Sequence, residues 1–79
     1  MGHGYLLSQF LSPAYNRRRD DYGGDAARRA RFPVEVLSRV LEAVGRDLAV
    51  ICKLSVTEGH RRGAPIEDVI TTTRALESA

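Results

Sequence analysis

Two side chains near the start of the chain, His3 and Tyr5, have the types and spacing that could do chemistry together. They flank Gly4, and in an extended stretch residues two apart leave the backbone on the same side. Both could then reach one ligand. An imidazole can donate a hydrogen bond to a substrate carbonyl. A phenol, with an ordinary pKa of about 10, can hand a proton to a carbon that has become basic during a reduction. Spacing alone carries little weight here, because a histidine and a tyrosine in a terminal loop are more often incidental. Lys53 is the third candidate, a cation near the C-terminal end of an almost continuously apolar run. Its bland alternative is a strand-end lysine reaching solvent.

Other chemistry is thinly provided. Cys52 is the only cysteine, so an internal disulfide framework is excluded and a small apolar core role is expected for it. The two histidines, His3 and His60, lack the Cys and carboxylate company of a zinc site. No metal ligands are assigned, and His60 is given no role. The net charge is +2, with eleven arginines and the single Lys53 among the basic residues. Arginine crowds into Arg17–Arg19 and Arg28–Arg31, but Asp20, Asp21 and Asp25 lie between the clusters and would repel phosphate. A solvated, partly salt-bridged surface is expected, with no nucleic-acid partner. No apolar run is long enough to span a membrane, and Tyr5–Leu11 is too short for a signal peptide. A reducing, cytoplasmic setting fits this composition.

The elements that must position these residues follow from the pattern. Met1–Gly24 reads as a long ordered loop, rich in glycine and punctuated by Pro13 and Asn16; such loops are usually functional. Asp25–Val44 reads as a helix, with Asp25 as N-cap, Gly45 as stop, and Ala30, Val34, Leu37, Val40, Leu41 and Val44 as one apolar stripe. Pro33 conflicts with an unbroken helix, so a kink or a break near Phe32 is expected. Leu48–Val56 reads as a strand apolar on both faces, as in a covered parallel sheet. Alternation sets Leu48, Val50, Cys52, Leu54 and Val56 on one side, and Ala49, Ile51, Lys53 and Ser55 on the other. Thr57–Ala64 is a polar loop. Pro65–Ala79 is a second helix, with Pro65 in its first turn, Glu67 and Asp68 complementing its N-terminus, and Ile66, Val69, Ile70, Thr73 and Leu76 facing inward.

Helix, strand and helix in that order predict an α/β fold with a parallel sheet. One strand cannot make a sheet, and its two-sided hydrophobicity demands neighbours. A chain of 79 residues buries only ~60% of its unfolded surface. The expectation is therefore a piece of a larger domain, incomplete at both ends, which needs the rest of that domain or another chain to complete its core.

The string His3-Gly4-Tyr5-Leu6-Leu7, then Gln9-Phe10, Ser12-Pro13, Asn16, Arg18, Asp20, Tyr22-Gly23-Gly24, Arg29 and Arg31-Phe32 closely resembles the old yellow enzyme family of NADH:flavin oxidoreductases, including its 2,4-dienoyl-CoA reductase branch. The resemblance extends through ICKLSVTEG and PIEDVI. It implies an eight-stranded (βα)8 TIM barrel binding FMN. Residues 1–79 would then be part of that domain: the loop after strand 4, helix 4, strand 5 and helix 5. Barrel active sites lie at the C-terminal ends of the strands, which would place His3, Tyr5 and Lys53 on one rim.

The resemblance further implies that Tyr5 is the proton donor in reducing the activated C=C bond of an α,β-unsaturated carbonyl compound. It makes His3 one of two residues that hold the carbonyl oxygen. Hydride would come from reduced FMN, itself reduced by NADH or NADPH. Lys53 would sit beside the flavin N1 and O2 atoms, where positive charge stabilises the anionic reduced ring. Departures are present. Asp25-Ala26-Ala27-Arg28-Arg29 stands where the family has S-x-E-N-R, and the partner of His3 would precede Met1. The iron–sulfur cysteines of some relatives would lie beyond the C-terminus. By itself the chain is expected to be inactive. The alternative is a non-catalytic, small basic interaction module derived from such a barrel, pairing with another chain through exposed strand edges.

Overall fold

The computed structural model describes residues 1–59 and 61–79; His60, to which no role was given, lies outside them. Among the described residues there are four helices: α1 (Leu6–Leu11), α2 (Ala26–Arg29), α3 (Arg31–Val44) and α4 (Ile66–Glu77). Among the described residues there is no strand, which corrects the expected β-segment at Leu48–Val56. A strand exists as a regular element only when a ladder partner satisfies its backbone. This segment has none, so it runs across α3 and α4 as irregular backbone.

The loop Met1–Gly24 is more structured than its composition suggested. Leu6–Leu11 forms a short helix that the glycines and Pro13 disguised. Gln9 donates from Nε2 to the Gly4 carbonyl at 2.7 Å, tying the helix to the turn before it. Pro13 ends it, because the residue before a proline is pushed out of the helical region: Ser12 sits at φ −79°, ψ 123°. Phe10 then packs on Phe32 of α3, with ring centroids 4.6 Å apart and planes inclined at 39°.

Asp25 caps α2 as its residue type predicts, accepting from the Arg28 N–H at 2.9 Å. The expected interruption is present, but it falls at Ala30 rather than Phe32. Pro33 has no N–H to give the Arg29 carbonyl, so the hydrogen-bond ladder lapses one turn earlier than the ring itself. Pro33 is left in the first turn of α3, where it is tolerated, and is fully buried. Gly45, at φ 58°, closes α3 with its N–H on the Leu41 carbonyl at 2.9 Å.

Helix α4 starts one residue later than expected, with Pro65 as its extended N-cap and Glu67 and Asp68 in its first turn. Its inward face is also rotated. Thr72 and Leu76 are buried and Val69 is half-buried, whereas Ile66, Ile70 and Thr73 are exposed. Thr71 and Thr73 bond back to the Glu67 and Val69 carbonyls at 3.1 and 2.8 Å, which satisfies their hydroxyls within the helix.

The apolar interior is thin. Ala30 and Leu76, with Pro33, are the buried apolar side chains among the described residues. Leu48, Ile51 and Val56 remain 65%, 90% and 60% exposed. Val50, Cys52 and Leu54 line a groove against Leu37, Leu41 and Leu76, so one side of the segment meets α3 and α4. Cys52 is nonetheless exposed, correcting the core role expected of it. The material that would bury it lies on no described element.

Candidate functional site

Polar contacts, rather than the core, hold the loop that carries His3 and Tyr5. Asn16 is its hub: Nδ2 donates to the Phe10 and Tyr22 carbonyls, each at 2.7 Å, and Oδ1 accepts from the Arg18 N–H at 3.0 Å. Arg18 and Asp20 tie the loop down, with Arg18 Nε donating to Asp20 Oδ1 at 3.1 Å. The same oxygen accepts from the Tyr22 N–H at 3.0 Å. These two contacts, the guanidinium first, hold the Asp20 carboxyl below its ordinary value. The Tyr22 hydroxyl donates to the Glu35 carboxylate of α3, whose oxygens both lie 3.1 Å away. That acceptor and its charge push the Tyr22 phenol up. Gly23 is required by close approach, since a Cβ there would lie 2.3 Å from the Arg18 carbonyl oxygen.

Arg29 fastens this loop to the rest of the chain. It is buried; Nε donates to the Leu11 carbonyl at 3.0 Å, Nη1 donates to the Gly24 carbonyl, and Nη2 pairs with Asp68 of α4. One guanidinium thus joins the end of α1, the turn before α2 and the first turn of α4. Sequence reading gave Asp68 only a helix-terminus role. A signal was available, since a buried arginine requires an acidic partner, but nothing in the spacing says which one.

The structure does not bring the three expected residues into one cavity. His3 and Gly4 form a turn, with the Tyr5 N–H on the Gly2 carbonyl at 3.3 Å and Gly4 at φ 75°. The extended geometry expected for His3 and Tyr5 is therefore replaced by a turn, and residues two apart in a turn need not point the same way. His3 lines a cleft of about 200 Å³ with Ser8, Gln9, Tyr15, Ser55 and Glu58. Tyr5, the N-cap residue of α1 and 76% exposed, lies outside that lining. Lys53 is exposed on the edge of a different cleft, with Met1, Pro33 and Ile51. The Met1 amino group donates to the Lys53 carbonyl. The start of the loop is thus laid beside the middle of the apolar segment, as two neighbouring strands of a sheet would lie.

The sequence matches the model of the NADH:flavin oxidoreductase / NADH oxidase family over residues 1–79. The chain belongs to this family. It is 44% identical over 77 residues to an NADH oxidase of Thermoanaerobacter brockii, covering 98% of this chain and 12% of that protein. It is 36% identical over 75 residues to an NADPH dehydrogenase of Geobacillus, 95% of this chain and 22% of that one. An enoate reductase 1 of Kluyveromyces lactis is 53% identical over 45 residues, 57% of this chain and 11% of the relative. The chain therefore spans a small part of the length of these relatives. The family has a TIM-barrel parent fold and uses FMN with NADH or NADPH.

As for the flavin, the described residues supply one fitting contact and no cradle. Lys53 is an exposed cation that lines one cleft together with Ile51, which is 90% exposed. A cation on an uncovered apolar face suits the edge of an anionic aromatic ring. Among the described residues no enclosed cavity borders it.

Proposed function

We propose that residues 1–79 are the segment of an FMN-dependent NAD(P)H oxidoreductase that forms part of its active-site rim. In the barrel they comprise the loop after strand 4, helix 4, the strand-5 sequence and helix 5. The reaction is reduction of the activated C=C bond of an α,β-unsaturated carbonyl compound. The observation that carries this reading is the family match over the whole chain, with Tyr5 and His3 presented on a hydrogen-bonded glycine turn at its exposed edge.

FMN, when bound, supplies the hydride. His3 donates a hydrogen bond to the substrate carbonyl oxygen, which draws electron density from the double bond. Tyr5, already facing solvent at the N-cap of α1, gives its phenolic proton to the carbon next to the carbonyl. Lys53 would hold the flavin's pyrimidine edge, where its positive charge would stabilise the reduced, anionic ring. Full closure of this site requires neighbours on the uncovered side of Leu48–Val56, which would also bring Lys53 toward the His3 rim. Without them the 79-residue chain is inactive.

A chimera tests these roles: this chain replaces the matching stretch of the Thermoanaerobacter brockii relative. Tyr5→Phe should slow reduction of a simple α,β-unsaturated ketone by about 10²–10⁴-fold, while NAD(P)H-driven bleaching of the flavin continues unchanged. Equal turnover of the ketone by the two chimeras would remove Tyr5 from the mechanism.

A further inference from the structure

Tyr5 is the N-cap residue of α1, and its carbonyl accepts from the Gln9 N–H at 3.0 Å. Its backbone is therefore bonded into the first turn of that helix. Six residues are too few to hold a helix in place alone, since isolated helices below ~12 residues are marginal in water. No residue of α1 is buried, so the helix depends on ties at its far end. Phe10 packs on Phe32, and the Leu11 carbonyl accepts from Arg29 Nε at 3.0 Å. Asn16 also bonds the Phe10 carbonyl, but from within the same loop.

The aim of Arg29 is set in turn by Asp68. A guanidinium presents its N–H groups in one rigid plane, so pairing Nη2 with Asp68 fixes the direction in which Nε meets Leu11. Asp68 belongs to the first turn of α4. It also lines a cavity of about 40 Å³ with Ser8, Leu11, Ser55 and Glu58. Ser8, Ser55 and Glu58 are at the same time walls of the His3 cleft. The carboxylate thus lies one layer of side chains behind the surface that carries His3.

We infer that Arg29 and Asp68 are positioning residues for the proton transfer from Tyr5, acting through the Leu11 carbonyl on the seating of α1. The inference rests on the oxidoreductase reading. Without the carboxylate, the guanidinium is a buried charge lacking its counter-ion and turns toward water. Leu11 then loses its donor, and α1 shifts with Tyr5 at its start. A displacement of about 1 Å at a reacting group can cost about 10²-fold in rate. Neither Arg29 nor Asp68 exchanges a proton itself.

The test uses the chimera with the Thermoanaerobacter brockii relative. Its flavin is reduced by NAD(P)H, then reoxidised either by an α,β-unsaturated ketone or by dioxygen, which needs no proton placed on carbon. Asp68→Asn keeps the side chain's shape and removes its charge. It should slow the ketone reaction by about tenfold or more and leave flavin reduction and the dioxygen reaction unchanged. Asp68→Glu restores the charge and should recover most of the ketone rate. Added to Tyr5→Phe, Asp68→Asn should slow the ketone reaction no further, because the residue it positions is gone. Should Asp68→Asn lose its flavin, Arg29→Lys takes its place, since an ammonium can pair with Asp68 but lacks the fork that reaches Leu11. An unaffected ketone rate, equal slowing of all the reactions, additive slowing on top of Tyr5→Phe, or loss of flavin by both variants overturns the inference. A slow Tyr5→Phe chimera beside a normal Asp68→Asn one removes the inference alone; a normal Tyr5→Phe chimera removes the reading beneath it as well.

Discussion

Arg29 is the single side chain on which the arrangement depends most. Its guanidinium satisfies two carbonyls and one carboxylate on three separate pieces of chain. An exposed ion pair such as Arg39–Glu42, at 3.8 Å, contributes under ~1 kcal/mol. Breaking a buried pair by removing one partner costs about 3–5 kcal/mol. Arg29→Ala should therefore cost about 3 kcal/mol, read as a lower urea midpoint by circular dichroism, whereas Arg39→Ala should leave the midpoint almost unchanged. Asp20 offers a pH-dependent check. Its folded pKa lies below the ordinary value of 3.8 because Arg18 and the Tyr22 N–H bond the carboxylate. What it contributes is present above the ordinary value and is lost as pH falls through the depressed one. The Tyr22 amide resonance should thus hold steady down to about pH 4 and move only below it. Movement centred between pH 5 and 7 would contradict the Arg18–Asp20–Tyr22 turn.

The helices were legible to different degrees, for identifiable reasons. Asp25 and Gly45 bracket the Asp25–Val44 region as their chemistry demands, because capping is a local interaction between a side chain or a permissive backbone and the residues beside it. Asp25→Ala should cost about 1 kcal/mol and reduce helix content in the α2–α3 region; an unchanged melting curve would deny the cap its role. The α1 helix was missed because its six residues lie between glycines and Pro13 that read as loop, and it is held by tertiary contacts, Phe10 on Phe32 and Arg29 on the Leu11 carbonyl. The inward face of α4 was read correctly at Leu76 but misread elsewhere, because Asp68, paired with the buried Arg29, and Thr72 one turn on share the interior face while Ile66 and Ile70 turn out. A buried ion pair overrode the apolar stripe. The expected strand failed most completely, since a strand is completed by its neighbour and no described element provides one.

For the molecule as a whole, helices held by polar links surround a small apolar interior, with an uncovered apolar segment along one side. The radius of gyration is 12.4 Å, against about 11.6 Å for a well-packed chain of this length; together with the exposure of Ile51, this marks an open rather than a closed core. Mixed with free FMN and NADPH, the 79-residue chain should neither quench flavin fluorescence nor oxidise NADPH. Yellow colour co-purifying with it, accompanied by turnover, would overturn the claim that it is inactive alone. Size-exclusion chromatography with light scattering separates that claim from the interaction-module alternative. Self-association without a fixed stoichiometry is expected, because an unpaired apolar edge has no unique mate; a defined oligomer would favour the module.

The amino-acid sequence by itself determined the family, the chemical types available at His3, Tyr5 and Lys53, and the helix boundaries set by capping. Each of these is a matter of residue type at short separation. Only the tertiary structure decided which side chains meet. It placed His3 and Lys53 in separate clefts, put Tyr5 outside the His3 cleft, and joined Arg29 to Asp68 across 39 residues. Contacts between distant residues depend on which faces of the helices bury each other, and that is a property of the assembled chain.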